Sequence, residues 1–391
     1  MKTRTMFDEK LRQIQEAGLY RRMKYLQSPQ GAHVRMAGED ILMMSSNSYL
    51  GLCSDERLKQ AARDAIEQFG TGSGGSRLTT GSYAIHKKLE EEIAAFKGTE
   101  AALIFNTGYM ANVGVISAIA DKSWVIFSDR LNHASIIDGC RLSGAEIVVY
   151  EHGDPADLES KVGKYRGRRG LLVTDGLFSV DGDIAPLPAL ADIARRHQLL
   201  LMVDDAHATG VLGENGGGTA DYFGMTCGID AMMGTFSKAL AGEGGFVAGS
   251  QSLIDYLVNR ARSFIFSTAL SPATIAVSLE ALKIVRTDSQ PRTTLLNNAR
   301  WFREQLRDAG FSVPDFPTQI LSVVLGPPDV AVRFSERLME KRIFVSAIRP
   351  PTVPAGTSRL RISIMATHTK QDLTRAIAAI KDVGRELGVV K

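Results

Sequence analysis

Seven short apolar runs between residues 101 and 249, separated by amphipathic stretches, constrain this chain more than any other feature. They are AALIF (101–105), WVIF (124–127), EIVVY (146–150), LLVT (171–174), LLLMVD (199–204), AMMGTF (231–236) and GFVAG (245–249). Each is apolar on consecutive positions and rich in Val, Ile, Leu or Phe, the pattern of a strand buried on both faces. Between most of them lie segments such as PLPALADIARRHQ, with apolar residues three and four apart. This alternation predicts an α/β chain with a mainly parallel sheet covered by helices on both sides. Only a Gly-rich loop separates the last two runs, so a late strand is expected to run antiparallel.

From about residue 290 the texture changes to a helix, the strand-like ILSVVLG, a second helix around VAVRFSERLMEK, then IFVSAI, LRISIM and a final helix from about 370. We read three parts: an N-terminal arm (1–45), a large domain (46–289) and a smaller α+β C-terminal domain (290–391). Formal net charge is +3 with Lys and Arg dispersed, which argues against a nucleic-acid groove or a polybasic membrane anchor. The N-terminus lacks an apolar signal core, no apolar run is long enough to span a bilayer, and the three cysteines form no CxxC pair. A cytoplasmic protein with idle thiols is expected.

Three elements carry chemistry. LLLMVD delivers Asp204 to the carboxyl end of a buried strand, where open α/β sheets place their ligands, with His207 following in DDAHATG. GTFSKAL sets Lys238 in a turn beside Thr235 and Ser237. NTGYMAN places Gly108 and Tyr109 where a helix opens after a strand, a position that presents unpaired backbone N–H groups to a phosphate. Taken singly these are a surface lysine, a helix cap and a turn glycine. Jointly they fit pyridoxal phosphate, which needs a lysine for its aldehyde, a carboxylate at its ring nitrogen and a phosphate cradle. His133, in DRLNHASIIDG, stacks on such a ring or merely caps a helix. Gly70, Gly72 and Gly75 match the GxGxxG spacing of a dinucleotide loop, but a helical segment precedes them where a strand is required. A nicotinamide-dependent oxidoreductase therefore has little support. The sequence shows no HExxH and no other metal-ligand spacing.

The blocks NTGYMANVG, SDRLNHASIIDG, DGLFSVDGDIAPLP, VDDAHATGVLGENGGG and GTFSKALAGEGG, in this order, resemble the α-oxoamine synthase family. The resemblance covers about residues 20 to 385. It implies the aspartate-aminotransferase-like fold (PLP fold type I) with a seven-stranded sheet, and a homodimer with active sites at the subunit interface. It further implies Lys238 as the cofactor lysine, Asp204 at the ring nitrogen, His207 at the phenolic oxygen, His133 over the ring and Ser179 against the cofactor. Gly108, Tyr109 and Thr235 match the phosphate cradle, to which Thr268 would reach from the neighbouring subunit. Arg361, in RLRIS, matches the arginine that grips the substrate carboxylate, a task suited to a planar fork. Pattern alone does not separate it from Arg359, since residues two apart share a strand face. The stretch AIRPPTVPAGTSRLRIS resembles the branch that joins L-alanine to a pimeloyl thioester, carried by coenzyme A or a carrier protein, in biotin synthesis. In that branch Arg21, Asn47 and Thr352 match substrate contacts; glycine C-acetyltransferase is the alternative within the family. The glycine-rich NGGGTADYFG (215–224) departs from the family's usual filling of this loop.

Overall fold

The structure, a computed structural model, describes residues 2–16, 20 and 23–391. All seven apolar runs are strands of one sheet, in spatial order Ala101–Phe105, Gly245–Gly249, Ala231–Thr235, Leu200–Asp204, Gly170–Asp175, Val125–Asp129, Glu146–Tyr150. Gly245–Gly249 is antiparallel to both neighbours, as the short Gly-rich connection predicts, and every other adjacent pair is parallel. The parallel strands end on one side of the molecule at Asp129, Asp175, Asp204 and Thr235.

One expectation fails at the sheet's edge. EIVVY was read as buried on both faces, yet Ile147 and Val149 stand 39% and 48% exposed. Glu146–Tyr150 pairs only with Val125–Asp129, and among the described residues no strand lies beyond this edge.

Beyond the large sheet, Ile320–Gly326, Ser358–Ser363 and Ser346–Ile348 form a three-stranded antiparallel sheet. IFVSAI reads as one strand but divides between two sheets: Ile343–Phe344 joins Glu39–Met43 in parallel, while Ser346–Ile348 joins Ser358–Ser363. The extended arm is thus a hairpin, His33–Met36 with Glu39–Met43, sewn onto the C-terminal part. The main apolar core runs through both parts, from Leu42, Tyr49 and Phe236 to Phe302, Leu360 and Ile380.

Gly70 ends the helix Glu56–Phe69 with φ of 79°, and a loop rather than a strand surrounds the GxGxxG spacing. The cysteines are unpaired; Cys140 is buried, whereas Cys53 and Cys227 are exposed. Among the described residues no helix is long and apolar enough to cross a membrane.

Candidate active site

At the carboxyl ends of the strands lies a cavity of about 260 Å³. Its wall brings together Gly108, Tyr109, His133, Asp204, His207, Thr235 and Lys238, which lie as much as 130 positions apart in the chain. A larger cavity of about 720 Å³ opens at the other end of the sheet, around Trp124 and Tyr256, away from these groups.

Asp204 is 3% exposed and held at both oxygens. Its Oδ1 accepts from the Ala206 backbone N–H at 2.8 Å and its Oδ2 from Asn112 Nδ2 at 2.6 Å. Asn112 also donates to Ser135 Oγ at 2.9 Å, and Ser135 Oγ lies 2.7 Å from His133 Nδ1. His133 is the N-cap of the helix Ala134–Ser143, accepting on Nδ1 from the Ser135 backbone N–H, and it lines the cavity as well. The two readings of this histidine are therefore compatible. With Nδ1 accepting, Nε2 carries the hydrogen.

Lys238 is held at about 8, pulled down chiefly by burial and opposed by the carboxylates of Asp204 and Asp175. At pH 7 roughly a tenth of such amines are uncharged, far more than for a solvated lysine. That is the condition for a lysine nucleophile.

The phosphate end is built on the helix Gly108–Ile119, capped by Thr107 accepting from the Met110 backbone N–H. A Cβ on Gly245 of the neighbouring strand would stand 2.7 Å from Gly108 Cα and 2.8 Å from the Thr107 carbonyl oxygen, so a glycine at 245 lets this turn sit so close to the strand. Thr235 Oγ1, buried, lies 2.8 Å from Ser237 Oγ and donates to the Gly244 carbonyl. The Tyr109 hydroxyl donates to Asp138 at 2.6 Å, on an exposed rim, which leaves the backbone N–H for the cavity.

Behind His207, outside the cavity wall itself, Arg361 Nη2 donates to Asn47 Oδ1 at 3.0 Å and to the Tyr49 oxygen at 3.4 Å; its Nε donates to the Ser179 carbonyl at 2.6 Å. Tyr49, fully buried, lies 2.7 Å from His207 Nδ1. Burial drives His207 well below the ordinary imidazole range, with the charges of Lys238 and Arg361 adding to it, so the ring is neutral. Arg359 is not a surface charge: it is buried and ion-paired with Asp181.

The single chain does not bring every expected residue to the cavity. Ser179 reaches the site through its carbonyl on Arg361. Thr268 is exposed outside the wall, its carbonyl accepting from Asn106 Nδ2 at 2.6 Å. Thr352 is exposed in the proline-rich turn, and Arg21 lies outside the described residues. Sequence reasoning also missed four residues of the site. Asn112 and Ser135 link Asp204 to His133, Asp175 is the register partner of Asp204 on the next strand, and Tyr49 touches His207. Asp175 is pushed well above the ordinary carboxylate range by burial and by the Asp204 charge. Its signal was present, as an Asp closing the run LLVT just as Asp204 closes LLLMV.

These residues suit a group with an aldehyde, a protonated ring nitrogen and a phosphate. A depressed amine faces two buried acids, Asn112 Oδ1 is buried without a partner among the described residues, and a helix opens on Gly108, packed against the backbone of Gly245. Residues 39–380 match the family Aminotransferase class I and II, and the chain belongs to that family. Its cofactor is pyridoxal 5′-phosphate, and within the family it is an α-oxoamine synthase. The chain is 51% identical to 8-amino-7-oxononanoate synthase of Lysinibacillus sphaericus, over 98% of this chain and 99% of that one. With the same-named protein of Pelobacter propionicus it shares 52% identity over 99% and 100%. Among solved structures, serine palmitoyltransferase from S. paucimobilis with a PLP–myriocin adduct bound superposes with a TM-score of 0.93 at 31% identity, covering 98% of each chain.

Proposed function

We propose that this chain condenses L-alanine with a pimeloyl thioester, releasing the thiol and carbon dioxide and giving 8-amino-7-oxononanoate for biotin synthesis. The observation that carries this reading is a single cavity where a depressed lysine faces Asp204 and a chain from His207 through Tyr49 leads to Arg361. Full-length identity near 50% to synthases of that name selects this reaction over serine palmitoylation, whose enzyme shares 31%.

Pyridoxal phosphate supplies the electron sink that makes the α-carbon of an amino acid acidic. Asp204, fixed by Asn112 and the Ala206 N–H, keeps the ring nitrogen protonated because an opposite charge favours the cation. Gly108 and Tyr109 would offer backbone N–H groups to the phosphate, and Thr235 its hydroxyl once turned from the Gly244 carbonyl; Thr268 of a second copy would complete the cradle. His133 would cover the ring, His207 would meet the phenolic oxygen, and Ser179 would contact the cofactor. Arg361 and Asn47 bind the alanine carboxylate. Arg21 and Thr352 serve the acyl side. Lys238 takes the α-proton at its uncharged Nζ, a step worth roughly 100- to 10,000-fold for a positioned base.

The working protein is a cytoplasmic homodimer, divided into the arm 1–45, the domain 46–289 and the domain 290–391. Incubating it with alanine, glycine or serine against pimeloyl, acetyl, succinyl and palmitoyl thioesters, and following thiol release, tests the substrate assignment. Fastest turnover with alanine and the pimeloyl thioester is expected. Preference for another pair would reject it.

A further inference from the structure

We propose that Tyr49 is a positioning residue that fixes the ring tautomer of His207 and couples it, through one hydroxyl proton, to the carboxylate site at Arg361 and Asn47. This rests on the reading of the site given above.

The hydroxyl is crowded. Arg361 Nη2 approaches its oxygen at 3.4 Å, while the nearby Gln319 spends its Nε2 on the His207 carbonyl at 2.9 Å. Arg361 is a donor only, so the oxygen accepts from it and its one hydrogen must point elsewhere. Two acceptors lie in reach: His207 Nδ1 at 2.7 Å and Asn47 Oδ1 at 3.1 Å. Asn47 Oδ1 already accepts from Arg361 at 3.0 Å, whereas Nδ1 has no other partner among the described residues. The hydrogen is thus assigned to the shorter bond.

The consequences fall on His207. An imidazole that accepts at Nδ1 and is neutral carries its hydrogen on Nε2. His207 lines the cavity and Tyr49 occupies Nδ1, so the N–H is left for an oxygen in the cavity. The opposite tautomer would present a lone pair to that oxygen and repel it. The phenol is fully buried, and burial raises its pKa, so it keeps its proton through the working range. When a substrate carboxylate draws Arg361 away from Asn47, Asn47 Oδ1 gains capacity to compete for the same hydrogen. Occupancy of the carboxylate site is thereby felt at His207.

The test is the ¹⁵N spectrum of His207 in histidine-labelled protein, with and without cofactor, for the wild type and Tyr49→Phe. The wild type should show a neutral Nε2–H ring, and Tyr49→Phe a mixture or a shift to Nδ1–H. The variant should also raise KM for alanine by roughly three- to tenfold, the range for one hydrogen bond. A wild-type Nδ1–H ring, or a variant whose His207 signals and alanine KM are unchanged, overturns the proposal. The wild-type spectrum decides alone if the variant does not fold. Loss of cofactor binding to Lys238 would instead sink the functional reading, a separate result.

Discussion

At the scale of single residues, the buried charge behind the active site is as consequential as the charges within it. Lys97 Nζ, on a side chain only 1% exposed, lies 3.4 Å from Asp205 Oδ2 and donates to Thr209 Oγ1 and the Gly217 carbonyl. Asp205 in turn accepts from the Thr219 backbone N–H and hydroxyl. A Cβ on Gly218 would stand 2.1 Å from Asp205 Oδ2, which accounts for the glycine at that position of the 215–224 loop. Removing one partner of a buried pair strands the other. Lys97→Met should therefore cost about 3–5 kcal/mol in denaturant unfolding. Lys97→Met with Asp205→Asn should recover part of it. A single variant as stable as the wild type would refute this account. The sequence named Lys238, Asp204 and His207 because each closes or follows a recognisable strand. It could not name Lys97 or Tyr49, since their partners lie more than 100 positions away and only folding brings them together.

At the scale of elements, the 176–185 turn that carries Ser179 is strapped from two sides. Arg359 and Arg361 reach it from the strand Ser358–Ser363, so their shared strand face is explained by two different targets. From the sheet, His152 bridges Asp129 at 2.9 Å and Asp183 at 2.8 Å, with its ring perpendicular to that of Phe178. Burial lowers the His152 pKa, but bonds to both carboxylates outweigh it and raise it from 6.5 to about 10. A raised folded-state pKa means the imidazolium's contribution is complete below about pH 6.5 and disappears as pH climbs through about 10. Melting temperatures measured from pH 6 to 11 should thus fall on the alkaline side for the wild type. His152→Gln should start lower and fall less over that interval. Parallel curves would show that the strap does not titrate there. Pattern reasoning placed strands to within a residue or two, yet it missed the division of IFVSAI, because both halves are apolar and only pairing partners distinguish them.

At the scale of the whole molecule, the fold class was legible because consecutive apolar runs admit one economical arrangement, and the structure has it. The completeness of the site was not, because one chain leaves Thr268 exposed outside the cavity. If two copies share each site, Lys238→Ala and Thr268→Ala proteins should each be impaired, and mixed subunits should regain activity as heterodimers form. No recovery, with exchange of subunits verified by mass, would place Thr268 outside the site. The central claim concerns one nitrogen. Reducing the cofactor-loaded protein with borohydride, digesting it and sequencing the peptides by mass spectrometry tests it most directly. The account predicts a pyridoxyl-phosphate mass on Lys238 and on no other lysine. Lys238 recovered unmodified, with the label elsewhere or nowhere, would contradict it.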